Sequence, residues 1–209
     1  MLNNNNSIII KLFFISIFSV NSVILVYIFT KSKIIFQTNN YQKKVLDAVL
    51  PKKFSRNSKI SCYLIHNKLL GDDKDHKFWT VKKNKNLIAV IFEAIAPDGY
   101  SGDIKIIVSL NLNNTILGVR VLEHHETPGL GDKIDIHISD WISKFSGITV
   151  LGQNDPHFLL RKYGGVIDQF TGATITPLSI INAIKRIVNL FKETTFKNLN
   201  FKHCEPYHE

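Results

Sequence analysis

Leu87-Ile88-Ala89-Val90-Ile91-Phe92-Glu93-Ala94-Ile95-Ala96 is an almost wholly apolar run that stops at Pro97-Asp98-Gly99. A short run rich in branched and aromatic side chains, closed by turn residues, reads as a buried strand. Similar segments lie on both sides of it. Ser61–Ile65 and His76–Val81 precede it; Asp103–Leu112 and Thr115–Glu123 follow. Asn113-Asn114 joins the last two, and asparagine tolerates the dihedrals of a tight hairpin. Together these segments predict a five-strand antiparallel sheet.

Helical patterns come after the sheet. Asp140–Phe145 reads as a short helix capped by Ser139 or Asp140. The clearest helix starts at Thr176-Pro177: Thr suits a cap and Pro suits the first turn, where its missing N–H has no partner to lose. Ile180, Ile181, Ile184, Ile187, Val188 and Phe191 then recur at three- and four-residue spacing. Lys185, Arg186 and Lys192 fall elsewhere on the wheel, which predicts one face on the sheet and one in water. The fold class expected is α+β, an antiparallel sheet packed by helices.

Toward the amino terminus, Ile8–Phe29 is the most hydrophobic stretch of the chain. At about 1.5 Å per residue a helix crosses a hydrocarbon core of about 30 Å in about 20 residues, so this is read as a transmembrane helix. Ser16, Ser19, Asn21 and Ser22 weaken the span but have helix carbonyls within reach. No small-residue cleavage pattern follows, so the segment reads as an uncleaved anchor. Lys11 precedes the span while Lys31 and Lys33 follow it, so charge leaves the orientation open. The organisation expected is a short tail at 1–7, the span at 8–29, a polar connector at 30–58, a folded domain at 59–202 and a tail at 203–209. Within the connector Tyr41–Leu50 reads as a short helix ended by Pro51, and Lys52–Lys59 as a loop.

Composition narrows the function classes. The 209 residues carry a formal net charge of +9, yet Lys outnumbers Arg 22 to 4. Asn, Ile and Lys make up a third of the chain, a bias that reads as genomic drift toward AT-rich codons. The basic residues are scattered, whereas a DNA-reading face clusters its charge and favours Arg for bidentate base contacts, so nucleic acid is not expected as a partner. Two cysteines exclude a dense disulfide scaffold and a four-thiolate metal site. Cys62 and Cys204 either pair, if they face an oxidising compartment, or remain two free thiols.

Three segments carry candidate chemistry. Asp168-Gln169-Phe170-Thr171-Gly172-Ala173-Thr174-Ile175-Thr176-Pro177 leads into the last helix with small residues and hydroxyls, and a helix start favours an anion such as phosphate. Read on its own it is first a capped helix start with a tight turn. Glu123-His124-His125-Glu126-Thr127-Pro128-Gly129-Leu130-Gly131-Asp132 holds four metal-competent side chains, so a zinc-dependent hydrolase on Glu123, His124, His125 and Glu126 is one alternative. The spacing is not that of the helical two-histidine zinc motif, and a polar pocket wall is the plainer reading. Ala94–Gly102 is a turn that offers Tyr100 for stacking. A cofactor-free, membrane-anchored interaction module is the remaining alternative.

Thr171-Gly172-Ala173-Thr174 resembles the Ser/Thr-Gly-Ala-Thr attachment motif of the FMN-binding domain family. That family includes the C subunit of the sodium-pumping NADH:quinone reductase and the G subunit of the Rnf (Rsx) electron-transport complex. Cys62-Tyr63-Leu64, Ala94–Gly102, Val121–Lys133, Asp140-Trp141-Ile142 and Asp168–Pro177 resemble the G subunits in order and spacing, over nearly the whole chain. The resemblance implies FMN held covalently, as a phosphoester on Thr174, with Thr171, Gly172 and Ala173 completing the motif. Thr171 stands where the family often has Ser. It also implies a single anchor in the inner membrane, the flavin domain on the periplasmic side, and electrons passed within a complex that couples them to ion movement. The other Rnf subunits would be partners, and a separate flavin transferase would mature the protein. Thr127, Gly129, Leu130, Gly131 and Tyr100 are expected to wall the flavin ring.

Overall fold

The computed structural model describes residues 2–194, 196 and 201–204; for residues 2–10, 32 and 34–42 it describes the backbone alone. The anticipated tail beyond Cys204 lies outside the described residues. The chain opens with one helix, α1, Leu2–Val49, so neither the tail at 1–7 nor the start of the connector breaks it. No proline occurs before Pro51 and no glycine before Gly71, so nothing in this stretch forces an end. Lys11–Lys31 has a mean hydropathy of 2.3 and is long and apolar enough to cross a membrane. Its Ser16, Ser19, Asn21 and Ser22 side chains donate to carbonyls three or four residues back, which satisfies those donors without water. The helical residues up to Lys44 form a unit apart from the compact unit that begins at Val45.

Pro51 ends α1, and the segment anticipated as a loop contains a single turn, α2, Lys52–Ser55. A five-stranded antiparallel sheet follows in simple meander order: β1 Lys59–His66, β2 Asp75–Lys83, β3 Asn86–Ala96, β4 Ile104–Asn111 and β5 Ile116–Glu123. The β2–β3 hairpin turns on Asn84 and Lys85, both with positive φ, as a two-residue hairpin turn demands. At the β4–β5 turn, Asn111 Oδ1 accepts from the backbone N–H groups of Asn113 and Thr115, and Asn114 takes a φ of 59°.

The sheet is buried on both faces, which is why β3 reads as a continuous apolar run and not an alternating one. One face carries Phe78, Phe92, Ala94, Ile106, Val108 and Leu110 into the main core, beneath α3, Ile175–Glu193. The other carries Trp79, Val81, Ala89, Ile91 and Ile107 against Val45, Leu46 and Val49 from the end of α1, Leu50 just after it, and Phe54 from α2. The folded unit therefore begins earlier than residue 59, because these connector side chains cover the sheet. Close approach is possible because β5 has Gly118 there: a Cβ on it would sit 2.5 Å from the Val49 carbonyl oxygen. The Ser109 hydroxyl donates to that same carbonyl.

Between β5 and α3 the chain is irregular, with 3₁₀ turns at Gly131–Ile134, Trp141–Phe145 and Arg161–Tyr163. The segment anticipated as a helix at 140–145 is the second of these; Ser139 Oγ, not Asp140, accepts from the Trp141 N–H. At the far end, residues 202–204 run along β1: Leu64 N–H donates to Lys202 O and Cys204 N–H to Cys62 O. Cys62 and Cys204 form a disulfide with Cα atoms 5.4 Å apart. His203 and Cys204 thus belong to the domain edge and not to a free tail.

Candidate cofactor site

Four segments meet at the amino-terminal end of α3. Phe170–Ala173 forms a tight turn closed by Ala173 N–H to Phe170 O at 3.2 Å, with Gly172 at φ 81°. That left-handed conformation is one other residues rarely adopt, so the small residue is required by the turn itself. Thr174 follows as the N-cap of α3, with its carbonyl accepting from Leu178 N–H. Its hydroxyl makes no capping bond. The hydroxyl oxygen of a threonine at an N-cap ordinarily accepts an N–H of the first turn; this one makes no such bond.

The expected cap, Thr176, lies inside the first turn instead. It is 1% exposed, and its hydroxyl donates to Glu126 Oε2 at 2.5 Å. Pro177 is the third residue of the helix, still among the positions whose N–H has no intrahelical partner. Glu126 is only 5% exposed, and its other oxygen accepts from Ser101 N–H at 3.1 Å. One carboxylate thus ties the loop after β3, the loop after β5 and the start of α3 together. There is no slack around it. A Cβ on Gly131 would lie 2.6 Å from Glu126 Oε2, and one on Gly99 would lie 2.9 Å from Oε1.

The loop after β5 wraps on one acceptor: the N–H groups of Leu130 and Gly131 reach the Thr127 carbonyl at 3.2 and 3.1 Å. α3 fixes the opposite loop by Asn182 Nδ2 to Asp98 Oδ2 at 3.0 Å and Arg186 to Ile95 O at 3.1 Å. Lys185 is 5% exposed and donates to Asp155 O. The expected wet face of α3 therefore holds two cations turned inward, and burial pushes the ionisation of both downward. Beneath the turn, Trp141 Nε1 donates to Asp168 O at 2.7 Å, its ring lies 4.9 Å from that of Phe170, and Arg161 pairs with the Asp168 carboxylate at 2.9 Å.

These segments enclose a cavity of about 250 Å³ lined by Tyr100, Glu126, Thr127, Leu130, Gly131, Gly172, Ala173, Thr174, Ile175 and Thr176. Seven of the nine residues anticipated for the site line it: Tyr100, Thr127, Leu130, Gly131, Gly172, Ala173 and Thr174. Gly129 and Thr171 do not; both are exposed on the flanking turns. Ile175 and Thr176 are wall residues beyond the nine, and Glu126, whose segment reads in sequence as a polar pocket wall or less plainly as a zinc site, lines the cavity. Tyr100, Leu130 and Ile175 are large apolar side chains left open to solvent at the rim.

The four metal-competent side chains diverge. Glu126 points into the cavity. His124 Nδ1 accepts from the Glu126 N–H, while Glu123 and His125 line a separate open groove with Asp72, His76, Glu93 and Lys105. Among the described residues no three His, Cys, Asp or Glu side chains are grouped to hold a metal ion.

Residues 99–189 match the model of a family described as the FMN-binding domain. Three curated relatives are each named as the G subunit of an ion-translocating oxidoreductase complex. The one from Buchnera aphidicola subsp. Baizongia pistaciae (strain Bp) is 52% identical over 172 residues, 81% of this chain and 80% of the relative. The one from Salmonella typhi is 51% identical over 158 residues, 75% of this chain and 76% of its own. The one from Escherichia coli (strain K12) is 46% identical over 166 residues, 79% of this chain and 80% of its own. The chain belongs to this family of G subunits, and its folded part contains an FMN-binding domain.

Proposed function

We propose that Thr174 carries FMN as a phosphoester, and that this flavin passes electrons within an inner-membrane, Rnf-type ion-translocating complex. The observation that carries the reading is the Thr174 hydroxyl, on the cavity wall and uncommitted to the helix it caps. FMN would supply reversible uptake and release of electrons. The residues fit it in parts. The cavity is smaller than the roughly 300–1,000 Å³ usual for whole-ligand pockets, so it suits a planar ring and leaves the phosphate end at the surface. Tyr100, Leu130 and Ile175 offer apolar surface for that ring. Among the described residues, no Lys or Arg lines the cavity. A dissociable flavin phosphate is ordinarily gripped by cations; here the start of α3 is what favours the anion, and a covalent bond supplies the retention.

The partners proposed are the other subunits of the complex, and a separate flavin transferase that esterifies Thr174. The folded unit is proposed to face the periplasm. The Cys62–Cys204 disulfide supports that side, since such bonds persist in oxidising compartments. Intact-mass measurement of the membrane-extracted chain tests the attachment: the wild type gains the mass of FMN less water on the Thr174 peptide, and Thr174→Ala loses flavin that survives denaturation. An unmodified wild-type mass from cells that assemble the complex overturns it. Labelling of an introduced surface cysteine by a membrane-impermeant maleimide in intact spheroplasts tests the side.

A further inference from the structure

Among the described residues Glu126 is the one charged side chain on the cavity wall, and no ion pair reaches it. Its two oxygens each accept from a neutral donor, Ser101 N–H and the Thr176 hydroxyl. Gly99 and Gly131 exclude side-chain bulk, so the carboxylate is held in one place with little freedom to turn toward water. This costs more than a structural tie requires. A neutral side chain could join the same loops without the desolvation penalty of a buried carboxylate.

We propose that Glu126 is an electrostatic control on the flavin: its charge, fixed against the ring, holds the reduction potential of the bound FMN down. The inference rests on the flavin being seated in this cavity. Reduction adds electron density to the ring, and a carboxylate on the wall of so small a space disfavours it, more strongly than in water because the site is partly desiccated. The hydrogen bonds from Ser101 and Thr176 temper that charge, and the amino-terminal end of α3 tempers it further.

The test is a dye-coupled dithionite titration of the detergent-solubilised full chain, with covalent flavin content measured first on each sample. A wild type without flavin defeats the seating and not this inference. Glu126→Gln keeps the shape and removes the charge; its carbonyl oxygen can still accept from the Ser101 N–H while its amide NH2 donates to the Thr176 hydroxyl oxygen, and its potential is expected to rise. Thr176→Val keeps the charge and removes one of its two donors, so its potential is expected to fall. A purely structural tie predicts little change in the potential of Glu126→Gln, which keeps the loops joined. An unchanged potential in Glu126→Gln, or a raised or unchanged one in Thr176→Val, overturns the proposal. Should Glu126→Gln fail to accumulate, Thr176→Val decides it alone.

Discussion

Cys62 and Cys204 are 142 residues apart in the chain and are joined across the outer edge of β1. The bond closes nearly the whole folded unit into one loop. In the chain-entropy account, cross-linking over such a span stabilises by up to about 5 kcal/mol. Replacing both cysteines by Ala is expected to cost about 2–5 kcal/mol, read as a lower Tm of the purified protein. Reductant should lower the Tm of the wild type comparably and leave that of the double variant unmoved.

Gly131 is close-packed against the two groups that join the loops of the site. A methyl group there would lie 2.6 Å from Glu126 Oε2 and 2.9 Å from Thr176 Oγ1. Gly131→Ala is therefore expected to break the Thr176–Glu126 bond and destabilise by about 1–3 kcal/mol. Covalent flavin should fall with it, because the cavity wall moves. Gly129→Ala, two residues away with open space around it, is strained only by its φ of 77° and should keep the flavin.

Asp155 contributes to behaviour in acid. Burial pushes its carboxyl up, but the N–H groups of Leu151, His157 and Phe158 outweigh that and hold it below the usual carboxylate range. A carboxyl with a depressed value in the folded state contributes stability above its unfolded pKa of about 3.9. That contribution is lost as the pH falls through the folded value. Thermal melts between pH 6 and pH 3 should show a falling Tm below about pH 4. Asp155→Asn is expected to be less stable at pH 6, by about 1–3 kcal/mol, with a shallower fall in acid.

Gly118 sits against backbone, which cannot step aside as a side chain can. Gly118→Ala would place a methyl 2.5 Å from the Val49 oxygen and 2.8 Å from its Cα. The end of α1 must lift, weakening the Ser109–Val49 hydrogen bond and loosening the apolar cover on that face. A loss of about 2–3 kcal/mol is expected from overpacking. Amide exchange should rise in β4 and β5.

The five strands were legible because most are apolar runs bounded by turn residues, and the β4–β5 hairpin because Asn accepts left-handed dihedrals. The cavity was legible in outline: its walls come from segments whose small and polar residues exceed what turns alone need. The Glu126–Thr176 pairing was not legible because it spans fifty residues, and no local pattern marks it. Thr176 looks like a cap in sequence; the helix starts earlier, at Ile175 behind the Thr174 N-cap, and the buried carboxylate takes the later hydroxyl. Lys185 and Arg186 fell off the apolar stripe and read as solvated. Their long side chains instead reach the carbonyls of Asp155 and Ile95. The continuity of α1 was hidden by its polar composition after residue 30, which resembles a linker.

The last turn of α1 decides where this protein tolerates proteolysis. A cut at Lys31 or Lys33 would release a fragment that retains Val45, Leu46, Val49 and Leu50, and with them the lid on Trp79, Val81, Ile91 and Ile107. A cut at Lys52 or Lys53, only about twenty residues on, would strip that lid and bare an apolar slab. The first kind of fragment should stay dispersed in solution, and the second should precipitate, although they differ by a few turns of helix.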